Sequence, residues 1–333
     1  MKRVGNLMPD IADLSNLYNA YYKAVKSKRH KADALEYTKN LDLNLSLLSN
    51  QFLTGNIETG NYHYFKIFDP KERLICAAGF SERVMHHAIM NICHPLFEKH
   101  LIYHSYATRK GKGTYASLDI AKQAVKKYKW VAKLDIRKYF DSIPHLILQE
   151  KLQRLFKDKL MLSIFSKIIN SYHASDNKGI PIGNLTSQYF ANYYLSSADH
   201  YAKEQLQIPV YIRYMDDILL FEQDKETLKR KVKSFCEFVE TGLHLTFKLI
   251  DINATSKGVS FLGYRLFSDV IKLNQSSKKR FIRKFKGYSD YVKNGIWTQE
   301  EYSRHILPLI AFTNYASAKG LRNKCIEIIT DSS

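Results

Sequence analysis

Cysteine is scarce in this chain. Cys76, Cys93, Cys236 and Cys325 lie far apart in 333 residues, with no CxxC pair. That spacing excludes a disulfide-stapled scaffold, argues against a structural zinc site and fits a reducing cytoplasm. Fourteen glycines and seven prolines are too few for a collagen-like chain or a low-complexity linker, and no internal repeat is present. Long apolar runs are also missing. A stretch such as Ile306–Phe312 falls far short of the roughly 20 residues that a membrane-spanning helix needs, so a soluble protein with no membrane partner is expected. The N-terminal MKRVGNLMPDIADL meets Asp10 and Asp13 before any apolar run forms, so no signal peptide is expected.

Negative charge is in short supply too: 32 acidic residues stand against 51 Lys plus Arg, a net charge of +19. Such a chain repels itself unless a polyanion neutralises it, which makes nucleic acid the first candidate partner and an acidic membrane surface the second. Apolar residues at 45% and aromatics at 13% are enough for one large core or several subdomains without staples.

Helical spacing recurs over residues 7–55, at Leu14, Leu17, Tyr21 and Ala24 and again at Leu41, Leu45 and Leu48, with the basic KAVKSKRHKA between. YHYFKIF (Tyr62–Phe68) alternates like a strand, Asp69-Pro70-Lys71-Glu72 reads as a turn, and RLICA (Arg73–Ala77) as the returning strand. Helix follows over 82–98, then the polar segment SYATRKGKGT. WVAKLDI (Trp130–Ile136) has the pattern of a buried strand. The reading continues with a helix of about twenty residues from His145, a helix over Leu160–Ala174, and a long helix from Asn184, capped by Asn184 or Thr186. Short strands flank a tight turn in YIRYMDDILLF. A helix to Thr241, a strand near Leu243–Ile250, a hairpin around VSFLGYRLF and a basic helical region from Lys272 complete the chain.

Adjacent carboxylates in a strand point to opposite faces. At a hairpin turn the backbone reorients, so Asp216 and Asp217 can both stand clear of the sheet while apolar neighbours hold the turn rigid. Rigid carboxylates are what a hard divalent cation requires. Asp135, at the end of WVAKLDI, is the obvious third. Two metal ions roughly 4 Å apart would suit an in-line phosphoryl displacement.

With these residues in view, the sequence resembles the reverse transcriptases over roughly residues 60–270. KIFDPKERLI, SYATRKGKG, KLDIRKYFDSI, GIPIGNLTSQ, RYMDDILL, TGLHLTFK and SFLGY stand in that family's order. The resemblance implies an α+β right-hand polymerase with an antiparallel palm sheet and a helical thumb. Its parts would be an N-terminal extension and fingers over 1–126, a palm over 127–266 with a finger-side helical insertion near 145–175, and a thumb over 267–333. It implies RNA-directed DNA synthesis with two Mg²⁺ ions, Mn²⁺ able to substitute, held by Asp135, Asp216, Asp217 and the Ile136 backbone carbonyl. Arg73, with Lys66, matches the phosphate grip on the incoming nucleotide, where guanidinium suits phosphate. Phe140 matches the aromatic that rejects a 2′-hydroxyl, Gly183 the glycine beside the nascent base pair, and Lys248 the lysine proposed to protonate pyrophosphate. Phe261, Leu262, Gly263 and Tyr264 match the primer grip. Each has a plainer alternative: Arg73 could pair with Glu72 or Asp69, Phe140 could be core, and Gly183 a helix entrance.

The chain departs from the commonest pattern in two places. Pro181-Ile182-Gly183 stands where most members have Pro-Gln-Gly, and Ser187-Gln188 where they have Ser-Pro. That combination resembles the diversity-generating retroelements, which copy a template-repeat RNA into adenine-mutagenised cDNA. Ile182 cannot hydrogen-bond near the nucleotide, so wrong pairs lose less against right ones. The length, which leaves no room for RNase H, maturase or endonuclease domains, is expected of the same subfamily. The partners so implied are template RNA, nascent cDNA, deoxynucleoside triphosphates and an accessory variability determinant, a pentameric helical bundle, in the cytoplasm. The basic thumb and Lys23–Lys31 should track a nucleic-acid backbone, with Tyr288, Tyr291 and Trp297 as candidate stacking rings. The rivals are a retron, abortive-infection or group II intron type of reverse transcriptase, and a non-catalytic RNA-binding scaffold.

Overall fold

The computed structural model describes residues 3–68 and 72–330, and it has the expected α+β class with antiparallel sheets. Two units divide the chain: Met1–Arg109, Ile136–Leu206 and Ser234–Lys248 form the first, and Lys110–Asp135, Gln207–Lys233 and Leu249–Ser333 the second.

In the first unit, Asp13 starts the helix Leu14–Val25 by accepting the N–H groups of Ser15 and Asn16, the usual N-cap bond. Its buried stripe of Leu17, Ala20, Tyr21 and Ala24 packs against the helix Phe80–Glu98, whereas Leu14 stays exposed. The helix Leu41–Thr54 stops at Gly55, which takes the left-handed conformation at φ +72°. Strands β1 (Tyr62–Ile67) and β2 (Arg73–Ala78) pair antiparallel, with Tyr62 opposite Ala78 and Ile67 opposite Arg73. The expected turn between them lies, except for Glu72, outside the described residues.

Three helices differ from expectation. The helix from His145 ends at Leu155 rather than running about twenty residues. Phe156 is extended, because Val4 pairs alongside it: Val4 donates to the Leu155 carbonyl at 3.0 Å and Lys157 to the Val4 carbonyl at 2.7 Å. Asp158 then caps a new helix, Lys159–Asn170, by accepting the Met161 N–H at 3.2 Å. The long helix from Asn184 is three segments: Leu185–Tyr194, Ser196–His200 and a π-turn at Tyr201–Gln205. Asn184 takes the N-cap position without a side-chain cap bond; its amide donates instead to the Tyr62 hydroxyl at 3.1 Å.

The apolar strands lie mostly in the second unit, with Ile136, Phe247 and Lys248 counted in the first. β3 (Trp130–Ile136), β4 (Val210–Tyr214), β5 (Asp217–Glu222) and β6 (Phe247–Ala254) form a sheet in the order β4-β5-β3-β6. Ile218, Leu219, Leu220 and Phe221 of β5 are fully buried, which is why that strand reads as a continuous apolar run rather than an alternating one. β7 (Val259–Phe261), β8 (Tyr264–Leu266) and β9 (Ile271–Leu273) make a small antiparallel sheet. The helices Gln275–Lys293, Gln299–Asn314 and Lys319–Thr330 follow, closing on Phe281, Phe285, Ile306 and Cys325. The candidate stacking rings are partly used by the fold: Trp297 stacks on His305 at 4.4 Å and lies 5.1 Å from Tyr288.

The β7–β8 hairpin turns through Leu262 (φ +46°) and Gly263 (φ +90°), the signs of a type I′ turn, which favours Asn-Gly. A Cβ on Gly263 would lie 2.9 Å from the Ser277 hydroxyl and 3.0 Å from the Phe312 ring, so glycine is required there. Leucine at a left-handed position costs about 1–2 kcal/mol. Leu262→Asn, which keeps the turn and tolerates that conformation, is therefore expected to raise the melting temperature by about 2–4 °C. A lower midpoint by circular dichroism would mean that Leu262 packing outweighs its strain.

Candidate active site

β3 and β5 pair in a register that sets Asp135 directly opposite Asp217. Directly opposed residues share a face, with Cβ atoms about 4.5–5.5 Å apart, and like charges so placed repel. Lys133, two residues before Asp135 and so on the same face, brings its Nζ to 3.9 Å from Asp217 Oδ1. Both side chains are a quarter to a third exposed, so this pair is screened and weak. Asp216 stands in the two-residue turn between Tyr214 and Asp217, which are also register partners. The sheet thus brings Asp135, Asp216 and Asp217 into one neighbourhood, as a facing pair with the third carboxylate in the adjoining turn. Among the described residues, however, no three His, Cys, Asp or Glu side chains are gathered into a ready-made metal cage. The donor chemistry fits a hard divalent cation: opposed carboxylates need a positive partner, and oxygen is the ligand magnesium takes.

The turn itself is strained. φ is positive at Met215, +56°, and not at Asp216, the signs of a type II′ hairpin whose first position is usually glycine. Beneath it lies a residue that reading the sequence overlooked. Arg213 is fully buried, and its Nη1 donates to the Met215 carbonyl at 3.2 Å. It pairs with Ile218, so it occupies the face opposite the carboxylates and braces the turn from behind. The available signal was an arginine inside the apolar run YIRYM, since a buried charge must have partners. Tyr214, on the carboxylate face, is held by the Thr114 hydroxyl at 3.3 Å.

The first unit carries the other candidates. Gly183 has φ +132°, and a Cβ there would lie 2.8 Å from the Cys76 carbonyl oxygen. The Cys76 N–H donates to the Ile182 carbonyl at 2.8 Å, so the Ile182–Gly183 loop is fastened to β2 through its backbone. Phe140 is half-buried beside Tyr139, and its carbonyl accepts the Ile180 N–H at 2.9 Å. Arg73 and Lys66 do not converge. Arg73 pairs with Ile67 and Lys66 with Leu74, which puts them on opposite faces of the ribbon. Lys66 forms an exposed ion pair with Glu72 at 2.7 Å, the partner suggested for Arg73. Ile136 ends β3, and Lys248 is exposed on β6. Of the two departures noted in the sequence, Ile182 is half-buried, and Gln188 accepts a hydrogen bond from Thr108 at 3.1 Å. Arg109 of SYATRKGKG spends its donors on Glu98 and on the carbonyls of Ile102 and Ser105, a structural brace rather than a phosphate grip. No helix among the described residues is long and apolar enough to cross a membrane.

Known proteins share this sequence pattern. The COX1/OXI3 intron 2 protein of Saccharomyces cerevisiae is 24% identical over 221 residues, covering 62% of this chain and 25% of that protein. Protein YkfC of Escherichia coli is 20% identical over 273 residues, covering 68% of this chain and 72% of YkfC. Among solved structures, telomerase from Candida albicans in complex with a fragment of telomeric RNA is similar at a TM-score of 0.45 and 12% identity, over 80% of this chain and 55% of that one. Apo telomerase from Candida tropicalis, truncated from its C-terminal domain, is similar at 0.47 and 13%, over 65% and 55%. Residues 68–266, more than half of the length, match the reverse transcriptase (RNA-dependent DNA polymerase) family, and the chain belongs to that family.

Proposed function

We propose that the protein is an RNA-directed DNA polymerase that extends a primer 3′ end with deoxynucleotides. The observation that carries this is the register of Asp135 against Asp217 beside the Asp216 turn, inside the region that matches the family. Asp135, Asp216, Asp217 and the Ile136 carbonyl would hold the divalent ions, Mg²⁺ or Mn²⁺, whose chemistry is to favour the ionised primer hydroxyl and to offset triphosphate charge. The rigid β4–β5 turn, braced by Arg213, fixes where the Asp216 and Asp217 carboxylates stand. Arg73, exposed on its ribbon, binds triphosphate oxygens through its planar fork, with Lys248 as a secondary cation, whereas Lys66, on the opposite face of the ribbon, has no part in that grip. Phe140 closes against the sugar, and Gly183 lets backbone approach the new base pair. Residues Phe261 to Tyr264 hold the primer. On this reading 1–126 supply the N-terminal extension and fingers, 127–266 the palm and 267–333 the thumb, working in the cytoplasm. Addition of deoxynucleotides to an RNA-templated primer, lost on chelation with EDTA, tests it; metal-independent or template-independent synthesis would refute it.

Within the family, Pro181-Ile182-Gly183 and Ser187-Gln188 support the diversity-generating type, which makes adenine-mutagenised cDNA from a template-repeat RNA with a pentameric accessory protein. Ile182 is fastened through its carbonyl, so Ile182→Gln keeps the loop while adding a hydrogen-bonding side chain. Errors opposite template adenine are expected to fall several-fold, since one discriminating contact contributes about 1–3 kcal/mol. An unchanged error spectrum in sequenced cDNA would remove Ile182 from the account. A second reading, an intron-type enzyme, is favoured by the intron proteins among the relatives. The RNA that copurifies with the protein separates the two: a repeat-bearing template or an intron.

A further inference from the structure

Two stretches of the first unit, 140–145 and 172–180, are laced together along their length. The Asn177 carbonyl accepts the His145 N–H at 2.9 Å, the Gly179 N–H donates to the Ile143 carbonyl at 2.9 Å, and the Ile180 N–H to the Phe140 carbonyl at 2.9 Å. Pro144 and Lys178 form an antiparallel bridge between them. The Tyr172 hydroxyl adds a bond to Asp141 Oδ1 at 3.4 Å. Phe140 begins one side of this clasp, and the other side runs on through Ile180 to the Ile182–Gly183 loop.

One side chain locks the clasp from within. His145 starts the helix His145–Leu155, is only 3% exposed, and reaches the Gly179 carbonyl through Nε2 at 2.6 Å. A carbonyl only accepts, so Nε2 carries the ring proton and Nδ1 is a bare acceptor. That Nδ1 has no hydrogen-bond partner among the described residues, although the Asn170 side chain lies near enough to favour the charged ring. Burial, the larger influence, holds His145 below the usual histidine range, so the ring is neutral at pH 7. A buried polar atom left unpaired costs stability. An apolar ring of similar size would avoid that cost. What histidine adds over such a ring is the bond to Gly179.

Backbone bonds alone let two extended stretches twist against each other, whereas a further anchor from the start of a helix fixes the twist. On the proposed function Phe140 meets the sugar of the incoming nucleotide and Gly183 its base pair. The spacing between them therefore decides whether a 2′-hydroxyl is admitted. We propose that His145 is a positioning residue for sugar selection: through Gly179 it fixes where Phe140 stands relative to Gly183, and so the rejection of ribonucleotides. The inference rests on the polymerase reading and extends it to a residue that touches no substrate.

The test is single-nucleotide addition to an RNA-templated primer by the full chain, with dATP or ATP supplied. The quantity read is the ratio of the two kcat/KM values. His145→Phe keeps a ring and removes the donor, and its preference for dATP is expected to fall by about tenfold or more, the size of effect that a small misplacement produces. His145→Gln, whose amide nitrogen can stand where Nε2 stood, is expected to restore the preference to near wild type. Tyr194→Phe removes another buried bond of the same kind, from the Tyr194 hydroxyl to the Leu243 carbonyl at 2.7 Å, and is expected to leave the preference unchanged. Should His145→Phe not fold, His145→Asn, whose amide is too short to reach Gly179, is read in the same way. Equal losses on both nucleotides, no rescue by glutamine, or an equal fall in Tyr194→Phe would overturn the proposal, since each is what general softening of the core produces. So would a wild type with no preference for dATP. Primer extension with dATP by the wild-type chain is a separate readout, so the polymerase reading stands or falls independently of these ratios.

Discussion

Asp135→Asn is expected to abolish RNA-templated primer extension and to stabilise the fold at once. Both effects come from one feature, the register that sets Asp135 against Asp217. Without a cation, two opposed carboxylates repel, and removing one charge relieves about 0.2–1 kcal/mol. Asparagine preserves the shape of the side chain, and the ammonium of Lys133 still faces Asp217. The melting temperature should therefore rise by about 1–3 °C. Catalysis should fall by about a thousandfold or more. Neutralising charge at the reacting oxygens supplies several kcal/mol, and each 1.36 kcal/mol is a factor of ten. Mg²⁺ should raise the melting temperature of the wild type and have less effect on the variant, because a ligand of the native state stabilises by mass action. Melting curves with and without Mg²⁺, beside single-turnover extension, check all three. Asp216→Ala with Asp217→Ala serves as the inactive reference. Activity within tenfold of wild type would remove Asp135 from the chemistry, and a lowered melting temperature without metal would mean that the facing carboxylates are not the source of strain.

What could be read from the chain beforehand follows a physical division. The strand Trp130–Ile136 was legible from the alternation of its buried apolar residues with Lys133 and Asp135, and the turn around Asp216 because β5, buried on both faces, writes a continuous apolar run whose break marks the turn. The α+β class followed from the same local patterns. Facts that depend on distant partners were not legible. The helix from His145 stops because Val4, some 150 residues earlier, takes the backbone at Phe156. Asn184 leaves its cap bond for Tyr62. The separation of Lys66 and Arg73 onto opposite faces is fixed by pairing register, which residue types alone do not set when both sides of a ribbon are exposed. The brace on Met215 by Arg213 needed the fold to bring a buried donor behind a strained turn.

Gly183→Ala should separate binding of the incoming nucleotide from chemistry. On the proposed function Gly183 lies beside the new base pair; in the structure the crowding comes from the chain itself. The added Cβ would lie 2.8 Å from the Cys76 carbonyl oxygen and 3.3 Å from Ile75 Cγ2, at φ +132°. A backbone oxygen cannot swing aside as a side chain can, so the loop has to withdraw from β2 and lose the bond from Cys76 N–H to the Ile182 carbonyl. Backbone strain of about 1–3 kcal/mol and about 1 kcal/mol for the bond sum to roughly 2–4 kcal/mol of lost stability. On the proposed function, a loop detached from β2 positions the nucleotide poorly while the aspartate sheet is untouched. The KM for deoxynucleotide should therefore rise by tenfold or more, with kcat changed less, the reverse of the Asp135→Asn pattern. Gly113→Ala isolates the conformational part, since Gly113 also has a positive φ beyond the left-handed helical region, +108°, yet has nothing within 4 Å of its would-be Cβ. If the two variants melt alike and bind nucleotide alike, the close approach to Cys76 contributes nothing beyond strain, and the fastening of this loop to β2 is not what organises the nucleotide site.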